Sequence, residues 1–193
     1  MNPTRRMTIA ASILALTGCA TNQFSQTQTR VEGSSLRNTS VYVYSFLDIR
    51  DVEFGPQMLG AFDRQFIKAL AGSQVKASVL HFKDSDPGKY YSATNASMQI
   101  PVRETIVSNV PNERQAGADY RLVIFPSKMT LSGAWKFYDV RWDLVNVKNG
   151  QTVWTTSSQG KHLNAWKNDE DPEARAKTIV DGIVAEMRKS SLL

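Results

Sequence analysis

The chain has 193 residues, of which 41% are hydrophobic, 21% charged and 9% aromatic. That composition supports one folded core and excludes fibrous, disordered and disulfide-scaffold classes. Its 23 basic and 18 acidic side chains leave a net charge of +5, too small an excess to point to a nucleic-acid partner.

At the amino end Arg5 and Arg6 precede the uncharged run Met7-Thr8-Ile9-Ala10-Ala11-Ser12-Ile13-Leu14-Ala15-Leu16. A charged start, an apolar stretch and then small residues are the layout of a secretory signal. The run is too short to cross a bilayer, which takes about 20 apolar residues. The sequence that closes it, Leu16-Thr17-Gly18-Cys19, resembles the lipobox of bacterial lipoproteins. The resemblance implies acylation of Cys19 and removal of residues 1–18. With Ala20 rather than Asp next, it also implies delivery to the outer membrane, facing the periplasm. Cys19 is the only cysteine, so no intramolecular disulfide or cysteine-based metal cluster is available. Two or more acyl chains on it would hold the protein stably to a membrane. Loss of the leader removes Arg5 and Arg6 and no acid, leaving 21 basic against 18 acidic side chains. That mild excess suits anionic headgroups or peptidoglycan carboxylates as neighbours, and equally an ordinary surface of mixed charge.

From Ala20 to Thr39 the chain is rich in Gln, Thr, Ser and Asn, with Phe24, Val31 and Leu36 the only large apolar residues. Such a segment is expected to be a disordered tether, since it has little surface to bury. Twenty residues of this kind span ~25 Å on average and ~65 Å when taut. The expected division is a signal peptide at 1–18, acylated Cys19 and tether at 19–39, and one periplasmic domain at 40–193.

The domain opens on Val41-Tyr42-Val43-Tyr44-Ser45-Phe46-Leu47, a strand covered on both faces because large residues occupy both alternating sets. Leu59, Phe62, Phe66 and Leu70 recur at helical spacing, with Met58, Ile67 and Ala69 widening the stripe and Gly72 as the stop. A second strand runs from Val75 to Phe82, and Lys83 to Ser97 reads as a polar loop. Pro101, Val102, Ile106, Val110 and Pro111 mark a second helix over 100–111. Ala118 to Pro126 is a strand apolar on both faces, and Phe137 to Val147 is one with a single buried face. In the latter Tyr138, Val140, Trp142 and Leu144 point inward, while Asp139, Arg141 and Asp143 point to water. Asn149-Gly150 supplies a hairpin turn into a last strand over Thr152 to Gln159. Asp171-Pro172-Glu173 then caps a helix whose apolar face is Ala176, Ile179, Val180, Ile183, Val184 and Met187. The expected fold class is α/β (α+β), a single mixed sheet of about five strands with three helices packed on it, in the order β-α-β-α-β-β-β-α.

No paired-histidine metal motif, Gly-x-Ser-x-Gly, phosphate-binding glycine loop or dinucleotide fingerprint is present, so no catalytic residue, metal or cofactor is expected. The two histidines, His81 and His162, would support an envelope hydrolase only by converging with acids in one cleft. A carrier of lipid or another hydrophobic ligand is a second alternative and needs an apolar cavity between sheet and helices. The tryptophans Trp135, Trp142, Trp154 and Trp166 all lie in the last third. Trp142 belongs to a core face, whereas Trp135 and Trp166 fall in loops flanking the hairpin and are candidates for contact with a partner. Together with Asp139, Arg141 and Asp143 they form the expected partner-binding surface.

The run Gly117-Ala118-Asp119-Tyr120-Arg121-Leu122-Val123-Ile124-Phe125, then Tyr138-Asp139-Val140-Arg141-Trp142-Asp143-Leu144-Val145-Asn146, then Gly150-Gln151-Thr152-Val153-Trp154, resembles a group of small periplasmic α/β domains. These are the LpoB-type lipoprotein activators of penicillin-binding proteins, the curli secretion lipoprotein CsgG and the amino-terminal domain of TolB. The resemblance covers about a third of the chain. It implies helices packed on a mixed sheet and a function exercised by surface contact with another cell-envelope protein, as an assembly or regulatory factor.

Overall fold

The computed structural model describes residues 22–24, 27–46, 56–81, 92–94, 97–99, 117–132, 135–163 and 171–193. Within them the chain forms β1 (Asn22–Phe24), β2 (Thr29–Arg30), β3 (Ser40–Ser45), α1 (Pro56–Ala71), β4 (Lys76–His81), β5 (Ser92–Thr94), β6 (Ser97–Gln99), β7 (Tyr120–Ser132), β8 (Trp135–Asn146), β9 (Thr152–Leu163) and α2 (Pro172–Lys189). All nine strands belong to one mixed sheet, whose main order is β1-β9-β8-β7-β3-β4. β3 runs parallel to both β4 and β7, while β7, β8 and β9 form an antiparallel meander. The five expected strands and the first and last expected helices are present. The helix expected over 100–111 lies outside the described residues.

Both helices pack on one face of the sheet. Val41 and Val43 of β3, Leu122 and Ile124 of β7, and Val140, Trp142 and Leu144 of β8 join Phe62, Phe66 and Leu70 of α1 and Ile179, Ile183 and Met187 of α2 in one buried cluster. Removing each such side chain from water is worth ~1.5–3 kcal/mol, which makes this face the main source of stability. α2 starts as its sequence dictates, with the Asp171 carboxylate accepting the Glu173 N–H at 3.1 Å and Pro172 in the first turn. Glu173 is bound by Arg64 and Gln65 of α1, which ties the two helices together at their solvent side. Ile67, expected to widen the core stripe of α1, is instead 37% exposed, because that stripe needs only the residues already seated on the sheet and on α2.

Three expectations are corrected. Of the segment read as a disordered tether, residues 22–24 and 27–39 are part of the domain: β1 and β2 both pair with the outer edge of β9, and Leu36 is fully buried. Its low apolar content misleads because backbone pairing to an otherwise open strand edge does not depend on side-chain type. The polar loop expected over Lys83 to Ser97 contains β5 and ends at the start of β6; the two pair with each other, and β6 pairs with the far half of β7. Finally, the meander strands are longer than their apolar runs. β7 pairs with β3 as far as Ile124 and then continues to Ser132, an extension of about 25 Å at strand rise. A register shift between Pro126 and Lys128 marks where it leaves the parallel part of the sheet. Pro126 lacks an amide hydrogen, and a bulge is where a strand tolerates that.

Asp119 ties β3 to β7. Its carboxylate accepts the Ser40 N–H at 2.9 Å and the Ser40 hydroxyl at 3.0 Å. These bonds, with a smaller contribution from the Lys148 charge, hold its carboxyl below the usual carboxylate range. Since folding lowers this group below an unfolded value of about 3.9, its contribution is complete above about pH 5 and is lost as pH falls through the lowered value. Urea melts of the wild type and Asp119→Asn should therefore differ by a constant amount from about pH 7 to pH 5 and begin to converge only below about pH 4. Leu36→Ala should cost about 2–5 kcal/mol in the same assay at neutral pH, as for a core leucine. A loss near zero would return that residue to a tether.

Candidate functional site

The hairpin of β8 and β9 was expected to present Asp139, Arg141 and Asp143 to water. Its geometry is different. The sheet face away from α1 and α2 carries Tyr42 and Tyr44 of β3 and Phe46 just after it, beside Val123 and Phe125 of β7, all at most 5% exposed. The rings of Tyr44 and Phe46 meet edge to face at 4.8 Å. Strand alternation then places Asp143 on the same face, opposite Val123 on one side and Thr155 on the other.

Asp143 is 2% exposed. Its Oδ1 accepts the Thr155 hydroxyl at 2.8 Å, and Arg141 Nε donates to both carboxylate oxygens at 3.1 and 3.2 Å. The carboxylate is thus fully engaged inside the fold and unavailable to a partner. Alternation correctly separated the two faces of β8, but it carries no information about whether the second face is covered. Asp139 and Arg141 are half-buried. Trp135 is the first residue of β8 rather than a loop residue, paired in register with Ser132 and Leu163. Trp166 and Cys19 lie outside the described residues.

Trp142 and Trp154 are core residues, 1% and 0% exposed. Each indole N–H has a partner, as burial demands. Trp142 donates to Ser158 Oγ at 3.0 Å. Trp154 donates to Thr27 Oγ1 at 3.2 Å and Ser190 Oγ at 3.0 Å, and Thr27 in turn donates to Glu186 Oε1 at 2.7 Å. This buried polar group stitches the segment before β2 to β9 and to the end of α2. Nothing in the local sequence around Thr27 signals it.

The two histidines do not converge. His81 ends β4 and His162 lies near the end of β9, with β3, β7 and β8 between those strands, so more than about 19 Å of sheet separates them. His81 Nε2 is instead 2.7 Å from Asp63 Oδ1 of α1. Ser45 stands beside His81 in register, completing a serine, histidine and aspartate set in composition. However, Ser45 is fully buried, and His81 Nδ1 has no hydrogen-bond partner among the described residues. A nucleophile must share a hydrogen bond with its base and meet a substrate, and this set does neither. The pair joins α1 to the edge of the sheet. Among the described residues no group of three or more His, Cys, Asp or Glu side chains is placed to hold a metal ion, and no helix is long and apolar enough to cross a membrane.

No family model matches the chain, and no curated protein does. Among solved structures it is similar to the PelC dodecamer from Paraburkholderia phytofirmans, with 12% identity and a TM-score of 0.45 over 91% of this chain and 99% of that one. It is also similar to lipoprotein GNA1162 from Neisseria meningitidis, with 17% identity and a TM-score of 0.41 over 79% and 98%. A third is hypothetical protein CT253 from Chlamydia trachomatis, with 13% identity and a TM-score of 0.34 over 79% and 97%. At these scores the likeness assigns no activity or partner to the chain.

Because Asp143 is the shared acceptor for two neighbours, Asp143→Ala should destabilise the domain by about 1–3 kcal/mol, the cost of leaving buried donors unmet. Asp139→Ala, two same-face strand steps outward, should stay within about 0.5 kcal/mol of wild type. Thermal or urea unfolding of the two variants separates a structural carboxylate from a surface one.

Proposed function

We propose that the chain is an outer-membrane lipoprotein, anchored through acylated Cys19, whose periplasmic domain binds another cell-envelope protein as an assembly or regulatory factor and performs no catalysis. One observation carries the reading: Arg5 and Arg6, an uncharged apolar run and Leu16-Thr17-Gly18-Cys19 follow one another in the order of a lipoprotein signal. The described residues add support of a different kind. Their polar side chains are spent on holding elements together, as with Asp143, Asp119, Glu186 and the pair His81 and Asp63, in keeping with a module that works by contact. Peptidoglycan synthesis and secretion are the two processes suggested by the families the sequence resembles. Of the expected contact surface, Asp139 and Arg141 remain partly accessible and are retained. The buried Asp143 is not.

Two measurements test this. Cys19→Ser should abolish incorporation of labelled fatty acid and release the protein from the membrane fraction. Retention of both label and sedimentation would end the anchoring reading. A photo-crosslinking residue at position 139 should capture one defined envelope protein in cells. Capture from position 64 or 181, on the exposed sides of α1 and α2, with none from 139, would move the interface to the helices.

A further inference from the structure

We propose that the far end of the β7, β8 and β9 extension is a membrane-docking surface, a basic and aromatic sheet tip that rests on anionic lipid headgroups beside the anchor. The proposal rests on acylation of Cys19 as proposed above.

The first argument is chain direction. Asn22 lies opposite Gly160 and Phe24 opposite Ser158, so the polypeptide enters β1 from the end of the sheet where β9 reaches Leu163 and β8 begins at Trp135. Cys19 is three residues before Asn22, and three residues reach at most ~11 Å. A lipid on Cys19 therefore holds this end at the bilayer. The turn between β8 and β9 at 147–150 lies at the opposite end, about 40 Å away along strands of this length.

The second argument is what that end carries. Residues 128–132, 135–139 and 159–163 include Lys128, Lys136 and Lys161 against a single acid, Asp139, together with Trp135, Phe137, Tyr138 and His162. Asp139 stands opposite Lys128, on the row farther from the tip. Phe137 lies between Thr130 and Lys161 in register and is 42% exposed, the most exposed large hydrophobic residue among the described ones. Aromatic residues favour the headgroup level of a bilayer, and basic residues are drawn to anionic lipid within a Debye length of it. Ile67, the other exposed large hydrophobic residue, sits on α1 and has no comparable link to the anchor.

The test uses the full acylated chain on vesicles of phosphatidylethanolamine with phosphatidylglycerol. A fluorophore is attached through Phe137→Cys or, as the control, Ile67→Cys, and nitroxide-labelled lipid serves as quencher. The position 137 label should be quenched and the position 67 label should not. Neutralising Lys128→Gln or Lys161→Gln should each lower the docked fraction at low salt by about fivefold in the docking equilibrium, with flotation on the vesicles unchanged. Equal quenching at 137 and 67 with flotation retained overturns the docking surface and leaves the anchor standing. Absence of lipid quenching at 137 on the vesicles, with only protein captured by a photo-crosslinker at 137 in cells, also overturns it. A parent chain that does not float and presents a free Cys19 thiol overturns the anchor and this proposal together.

Discussion

Backbone pairing along the outer edge of β9 is the constraint on which the arrangement of this molecule depends. A last strand in a meander exposes a row of amide and carbonyl groups that must find partners or invite another chain. Here the chain's own amino-terminal residues supply them: Asn22 to Phe24 opposite 158–160, and Thr29 and Arg30 opposite Thr155 and Trp154. Between these two short strands Thr27 shares the Trp154 indole with Ser190. Farther on, the Leu36 amide donates to the Leu192 carbonyl at 2.8 Å. The segment thus joins the first strand it reaches to the last helix of the domain.

That closure changes what an anchor on Cys19 does. A flexible tether lets a domain wander within its reach and turn freely, so the attachment would say nothing about which surface faces the membrane. With Asn22 to Phe24 held on β9, only Ala20 and Thr21 separate the sheet from Cys19, and the proposed attachment there would be an orienting one. The long axis of β7, β8 and β9 then relates membrane proximity to sequence position. Under the anchoring proposed above, their far ends would lie near the lipid, and the turn at 147–150, together with the parallel strands, away from it.

The buried polar groups have a common character. Asp143 with Arg141 and Thr155, Asp119 with Ser40, His81 with Asp63, and Trp154 with Thr27 and Ser190 each join different elements across the sheet or between sheet and helix. Groups taken from water in this way specify which element meets which, because removing one partner leaves the other unsatisfied in a low-dielectric setting. They make three residues suggestive of chemistry in the sequence, His81, Arg141 and Asp143, structural in their geometry.

The sequence by itself determined the five main strands, α1 and α2, the cap at Asp171 and the turn at Asn149 and Gly150, because each is written in local periodicity or in local backbone preference. It also located Cys19, since the features around that residue are contiguous. Only the tertiary structure decided that residues 22–24 and 27–36 belong to the domain, that Asp143 is enclosed, that Asp63 rather than His162 meets His81, and that β7 continues past Pro126. Each of these depends on a partner distant in sequence: β9 for the amino-terminal strands, Thr155 for Asp143, α1 for His81 and β6 for the far half of β7. Alternation tells which way a side chain points along its own strand, but whether anything lies in that direction is settled by the rest of the chain.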